Sequence, residues 1–173
     1  MNKETKGRVW KFGHNVDTDH IIPTKYLISL DAMEQSTHCF ENVRPEFGKA
    51  RRDGDIIVGG RNFGCGSSRQ AAPLVIKNRG IACIVAESFA RLFLRNSVNL
   101  GLPLVVMKDA LQKIDEGDVV TIDLVNGLVV NETRGQSYEI KKTPDFLMEI
   151  YENGGLEETI ARKMAALKIA ESQ

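Results

Sequence analysis

The chain has 173 residues, 42% of them hydrophobic and 27% charged, a composition that supports a globular core and excludes disorder. Lys plus Arg and Asp plus Glu number 23 each, so the formal net charge is zero and no global attraction to nucleic acid or to an anionic membrane follows. No run approaches the roughly 18 apolar residues of a membrane span, residues 1–11 are charged and lack a signal-peptide core, and Cys39, Cys65 and Cys83 form neither a C-x-x-C pair nor an even disulfide set.

A cytoplasmic protein is expected, with no membrane or nucleic-acid partner, folded as one domain over residues 1–173. Residues 13–53 are polar and loop-like, longer than a connection needs to be, which in a compact domain marks a functional loop. From Asp55 onward short aliphatic runs alternate with helical patterns. Residues 55–59 read as a buried strand, 73–78 as a helix stopped by Gly80, and 81–86 as a second strand. Ser88 offers an N-cap to a helix over 89–96 that ends near Gly101, and 102–107 reads as a third strand. Such alternation predicts a parallel core with helices packed against it. Residues 118–124 and 128–133 flank Asn126-Gly127 and predict an antiparallel hairpin with a type I′ turn. Residues 137–141 add a strand, Thr143-Pro144 opens a helix that Gly154-Gly155 closes, and an amphipathic helix spans about 156–170. The fold class is mixed α/β: a parallel core with an antiparallel hairpin annex.

The richest stretch for chemistry is Gly59 to Gln70, placed after a predicted strand and before a predicted helix. Its glycines allow sharp turns and close backbone approach, and a helix start offers unpaired N–H groups to an anion. Nucleotide cradles fail on spacing: Arg69 stands where a dinucleotide fingerprint needs its third glycine, and no G-K-[ST] is present. Taken alone, Ser67 and Ser68 read as turn or capping residues and Arg69 as a surface charge. Pro73 delays the regular helix to about Ala72, which leaves 67–70 in irregular backbone with side chains free to point into a cleft.

The second stretch runs from His14 to Pro23 and includes Asp17, Asp19 and His20. Its carboxylates at i and i+2 invite a metal reading, but no third carboxylate or His-x-x-x-His follows, so hydrogen-bonded turn structure is the plainer reading. His38 has no partner at useful spacing and reads as structural. Cys65 lies inside the glycine loop, but no neighbouring charge in the sequence argues for an activated thiol.

Asp17-Thr18-Asp19-His20-Ile21-Ile22-Pro23, Lys25-Tyr26-Leu27, the run from Asn62 to Arg69, Ser88-Phe89-Ala90-Arg91 and the run from Asn96 to Gly101 occur in this order. Together they resemble the small subunits of the 3-isopropylmalate dehydratases, the separate swivel domain of the aconitase superfamily, over residues 7 to about 165. The resemblance implies a β/β/α swivelling domain that closes over a large subunit bearing a [4Fe-4S] cluster, with no metal or cofactor bound by this chain. It implies a hydro-lyase in which a hydroxyl moves between adjacent carbons of an alkylmalate. The family's serine base maps onto Ser67 and its carboxylate clamp onto Arg69, with Gly66 and Ser68 placed to stabilise an alkoxide, and its active-site aspartate maps onto Asp19. Members usually read Ser-Ser-Arg-Glu, whereas Gln70 stands here in the fourth place. In relatives that accept a third carboxylate an arginine commonly follows the Tyr-Leu pair. Ile28 occupies that place, which favours a branched alkylmalate such as 3-isopropylmalate or 2,3-dimethylmalate over homocitrate or citrate, unless Ile28 merely packs beneath the loop. A non-catalytic anion-binding module remains open on the glycine loop alone. An RNA-binding regulator is disfavoured by the balanced charge and the 6% aromatic content.

Overall fold

A computed structural model describes residues 4–28 and 31–170. Seven strands form one sheet: β1 (Glu4–Lys11), β2 (Ile56–Gly59), β3 (Cys83–Ala86), β4 (Leu104–Val106), β5 (Val119–Asp123), β6 (Leu128–Asn131) and β7 (Gln136–Glu139), in spatial order β4-β3-β2-β1-β5-β6-β7. Strands β1 to β4 are mutually parallel, and β5 to β7 are antiparallel. The parallel core and the antiparallel annex are therefore both present, as the sequence predicts. They are joined by β1, which the sequence pattern does not reveal. Its C-terminal half pairs with β2 (Val9 with Ile56) and its N-terminal half pairs antiparallel with β5 (Gly7 with Val120). Trp10 Nε1 donates to the buried Asp55 carboxylate at 2.8 Å, fixing β1 against the start of β2.

Side chains alternate across the sheet with a period of two and sort into two cores. Trp10, Ile57 and Ile84 face one side, and Val9, Ile56, Val58, Cys83 and Val85 face the other. The first face is covered by α1 (Thr18–Ile21), α2 (Ala32–Thr37), α3 (Phe47–Ala50), α4 (Ala71–Asn78) and α5 (Arg91–Asn99), through Ile21, Ile22, Phe40, Phe47, Val75, Ile76 and Phe93 among others. The second is covered by α6 (Ala110–Lys113) and α7 (Asp145–Asn153). The last helix, α8 (Leu156–Ala170), follows α7 after the left-handed Gly154 and packs mainly on it.

Three local expectations are corrected. Residues 13–53 are not a long loop: α1, a 3-10 helix over Thr24–Ile28, α2 and α3 occupy much of them, and Phe40 and Phe47 are fully buried. The hairpin turn is not a two-residue type I′ turn. Asp123 pairs with Leu128 across a four-residue loop in which Gly127 has φ 74° and Asn126 has no positive φ. The Asp123 carboxylate accepts from the Val125 and Asn126 amides and organises that reversal. Ser88 does not cap α5, whose N-cap is Ala90; its hydroxyl instead accepts the Asn62 N–H at 2.8 Å.

Candidate active site

The segments that follow β1 and β2 run side by side. Gly60 N donates to Gly13 O, Asn15 N to Arg61 O, Gly64 N to Val16 O and Thr18 N to Cys65 O, at 2.8 to 3.0 Å. This parallel stitching requires glycine at two points. Gly64 has φ 77°, and a Cβ there would lie 2.1 Å from the Phe93 ring; Gly66 has φ 94°, and a Cβ would lie 2.5 Å from the Asp17 carboxylate. The two motifs, remote in sequence, thereby become neighbours.

Asp17 is the N-cap of α1: its carboxylate accepts from Asp19 N at 2.7 Å, and His20 Nδ1 accepts from Asp17 N, closing a capping box. The expected hydrogen bonding of Asp17 and His20 is present, but as the cap of a short helix and not as a loop turn. No group of three His, Cys, Asp or Glu among the described residues is placed to hold a metal ion.

With Asp17 and His20 engaged in the cap, Asp19 points toward the second motif. Arg69 Nη1 donates to Asp19 Oδ1 at 2.5 Å and lies 3.5 Å from the Ile22 carbonyl, while Nη2 donates to Thr24 Oγ1 at 3.0 Å. Thr24 Oγ1 in turn donates to Asp19 Oδ1 at 2.7 Å. The guanidinium is largely covered, with its side chain 18% exposed, and oriented from below. The Arg69 hydrogen bond first, then that from Thr24, holds the Asp19 carboxyl below the usual aspartate value. Asp19 stays ionised at neutral pH and contacts Arg69, not open solvent alone.

Ser67 is exposed, and its Oγ lies 3.4 Å from the Oγ1 of the buried Thr18. The amides of Gly66, Ser67 and Ser68 donate to no other described residue. Helix α4 begins at Ala71, with Pro73 in its first turn where a missing N–H costs no bond. Residues 67–70 are accordingly irregular, as expected, and Gln70 is exposed at the N-cap without a side-chain cap bond. Ile28 ends the 3-10 helix that Thr24 begins and is 84% exposed, so it does not pack beneath the loop. Its neighbour Ser29 lies outside the described residues.

The structure brings Asp19, Gly66, Ser67, Ser68 and Arg69 together on one open rim, with Ile28 on the helix that Thr24 ties to it. The sequence reading missed Thr18 and Thr24, although both lie in or beside the quoted motif, because only their contacts across about fifty residues give them a role. His38 is also corrected: it has partners in Tyr26 and Glu41. A surface concavity of about 950 Å³ lies between β1 and the annex and is lined by Glu4, Lys6, Thr121 and Glu132, away from these groups.

Among the described residues the three cysteines do not gather with other potential ligands into a group that could hold a metal ion. Burial pushes the thiols of Cys39 and Cys83 up, Cys83 to about 12, and burial with the nearby Asp17 charge raises Cys65.

The Aconitase C-terminal domain family matches residues 49–109. The chain is 49% identical to the isopropylmalate/citramalate isomerase small subunit of Methanocaldococcus jannaschii over 95% of its length and 98% of the relative's. It is 47% identical to the 3-isopropylmalate dehydratase small subunit of Methanosarcina mazei (93% and 98% covered), and 52% identical to the methanogen homoaconitase small subunit of Methanothermobacter thermautotrophicus (87% of each). A crystal structure of 3-isopropylmalate dehydratase from Methanocaldococcus jannaschii superposes with TM-score 0.91 at 38% identity, covering 96% of this chain and 99% of that one. The chain belongs to the family of 3-isopropylmalate dehydratase small subunits, within the aconitase superfamily.

Proposed function

We propose that this chain, joined to its large subunit, interconverts 2-isopropylmalate and 3-isopropylmalate by dehydration and rehydration in leucine biosynthesis. The observation that carries the reading is the meeting of Ser67 with Thr18, and of Arg69 with Asp19, across 49 and 50 residues on one open rim. An open rim is half of a site, and in this reading the large subunit closes it and carries the [4Fe-4S] cluster. No residue of this chain ligates that cluster.

Ser67 removes the proton from the carbon beside a substrate carboxylate. A serine hydroxyl is a weak base, so its alkoxide needs donors before the substrate proton moves. In this reading the Thr18 hydroxyl, the Arg69 charge and the loop amides of Gly66 and Ser68 supply them. As the C–H bond breaks, negative charge grows on the carboxylate, which Arg69 grips through paired N–H donors. The carbon electron pair becomes the double bond as the hydroxyl leaves the adjacent carbon as hydroxide, for which the large subunit's cluster would supply a Lewis acid. Water added in the opposite sense, with the proton returned by Ser67, gives the isomer. Asp19 and Thr24 are positioning residues that aim the guanidinium.

Ile28 supports the alkylmalate. An aliphatic side chain cannot compensate a desolvated third carboxylate, whereas contact with a branched alkyl group contributes roughly 1.5 to 3 kcal/mol at full burial. The test is to co-produce the chain with its large subunit, load the cluster anaerobically and compare 3-isopropylmalate with homocitrate. Preference for the alkylmalate is expected, with Ile28→Arg shifting the kcat/KM ratio toward homocitrate. Preference of the unaltered pair for homocitrate would overturn the substrate assignment.

A further inference from the structure

The 3-10 helix over Thr24–Ile28 has only five residues, too few to hold its shape by internal hydrogen bonds alone. Its first residue, Thr24, is tied to Asp19 and Arg69. Its last, Ile28, stands in solvent. Between them Tyr26 is held by a cluster that takes no part in the proton transfer described above. The Tyr26 ring stacks on the His38 imidazole with centroids 3.6 Å apart and planes 4° from parallel. Its hydroxyl donates to Glu41 Oε1 at 2.8 Å, and Glu41 Oε2 is hydrogen bonded to His38 Nδ1. The Lys25 ammonium lies 4.6 Å from the same ring. Glu41 therefore closes a ring of contacts from Tyr26 through His38 and back. The His38 hydrogen bond, then that from Tyr26, holds its carboxyl below the usual range, so the acceptor is charged and both bonds are of the stronger kind.

These groups lie at the surface and not in the core. Tyr26, His38 and Glu41 are all half-buried, and Tyr26 and Leu27 are partly buried residues packed against the first core. A cluster of this kind adds little core volume. It fixes instead where a short exposed element sits.

We propose that His38 and Glu41 are positioning residues for substrate selection: they clamp Tyr26 and so set where the 3-10 helix presents Ile28. This rests on the reading of Ile28 as the residue that meets the variable group of the substrate. The clamp acts at the Ile28 end of the helix, whereas Thr24 is held to Asp19 and Arg69 by its own hydrogen bonds and Ser67 to Thr18, so loss of the clamp moves KM and leaves kcat nearly unchanged.

The experiment uses the cluster-loaded enzyme reconstituted with its large subunit. His38→Ala and Glu41→Ala should raise KM for 3-isopropylmalate about tenfold, the equivalent of part of one alkyl contact, with kcat within about twofold. Glu41→Gln, which keeps an acceptor for the Tyr26 hydroxyl, should recover most of the loss. In an Ile28→Ala background, His38→Ala should add little, because the clamp acts through Ile28. Unchanged KM, a fall confined to kcat, or effects of His38→Ala and Ile28→Ala that simply add would each overturn the proposal. A separate reading comes from the full chain without its partner: His38→Ala should shift the Ile28 δ1-methyl NMR resonance. An unmoved methyl would sink the clamp. A shifted methyl in a chain whose complex ignores 3-isopropylmalate would uphold the clamp and fail the proposed reaction instead.

Discussion

On the parallel side of the sheet, β1, β2 and β3 each run on at their C-terminal ends into a segment that reaches the rim: residues 12–28, 60–70 and 87–90. On the antiparallel side, β5 to β6 and β6 to β7 reverse within residues 124–127 and 132–135. The difference follows from geometry. Parallel neighbours need a crossover connection, so each strand end is released into a segment with room to specialise, whereas a hairpin returns at once. Ligand sites of open parallel sheets gather at those C-terminal ends for the same reason. The annex does different work: it pairs with the edge of β1 that faces away from β2, which would otherwise be open to other chains.

If that division is right, activity and stability are separable by region. The largest effect is expected at Ser67. Ser67→Ala should lower kcat of the reconstituted enzyme by about 10² to 10⁴, the usual worth of a general base, while the thermal midpoint stays near wild type because an exposed side chain is lost. Unfolding of this variant, measured by circular dichroism, would make the loop part of the scaffold. Next comes Arg69→Lys, which keeps charge but loses the paired donors. A loss of several-fold or more in kcat/KM is expected, again without a change in stability. Wild-type kinetics would remove Arg69 from contact with substrate.

The same two regions explain what could be read in the sequence. Strands β2 and β3 are continuous apolar runs that are fully buried, β4 is a short aliphatic run, and the hairpin flanks alternate clearly. Strand β1 escaped because Glu4 to Arg8 are exposed or half-buried and carry no apolar run, so Val9 and Trp10 are its only buried residues. Helices α1, α2 and α3 and the 3-10 helix have four to six residues each, shorter than the period needed to show an amphipathic face. Ser67, Arg69 and Asp19 stand out only because their motifs resemble those of a family. The support beneath them, from Thr18, Thr24 and the Tyr26 clamp, was not legible, because each contact joins residues whose spacing carries no periodic signal.

The converse experiment belongs to the annex. Gly127 has φ 74°, and a Cβ there would lie 2.6 Å from the Ile140 carbonyl. Gly127→Ala should cost about 1 to 3 kcal/mol of unfolding free energy for the strained backbone, with kcat and KM of the folded enzyme unchanged. A kinetic change as large as the stability loss would show that the annex reaches the site after all.

The smallest and most discriminating difference lies between two carboxylates, one in each half. Asp19 and Asp123 both titrate below the ordinary 3.8, the first chiefly through the Arg69 hydrogen bond and the second chiefly through the Asn126 amide. The sign is common to both: whatever each contributes is fully present above 3.8 and is lost as pH falls through the lower folded value. The causes respond differently to salt. Asp19 and its partner form a partly exposed ion pair, which about 1 M salt screens over roughly 3 Å, whereas the leading donors to the buried Asp123 are neutral amides. Carboxyl-carbon NMR titrations at low and high salt should move the Asp19 midpoint up toward 3.8 and leave that of Asp123 nearly in place. An Asp19 that already titrates at 3.8 in low salt would mean that Arg69 is not held by it, and that the guanidinium is aimed by Thr24 and the Ile22 carbonyl alone.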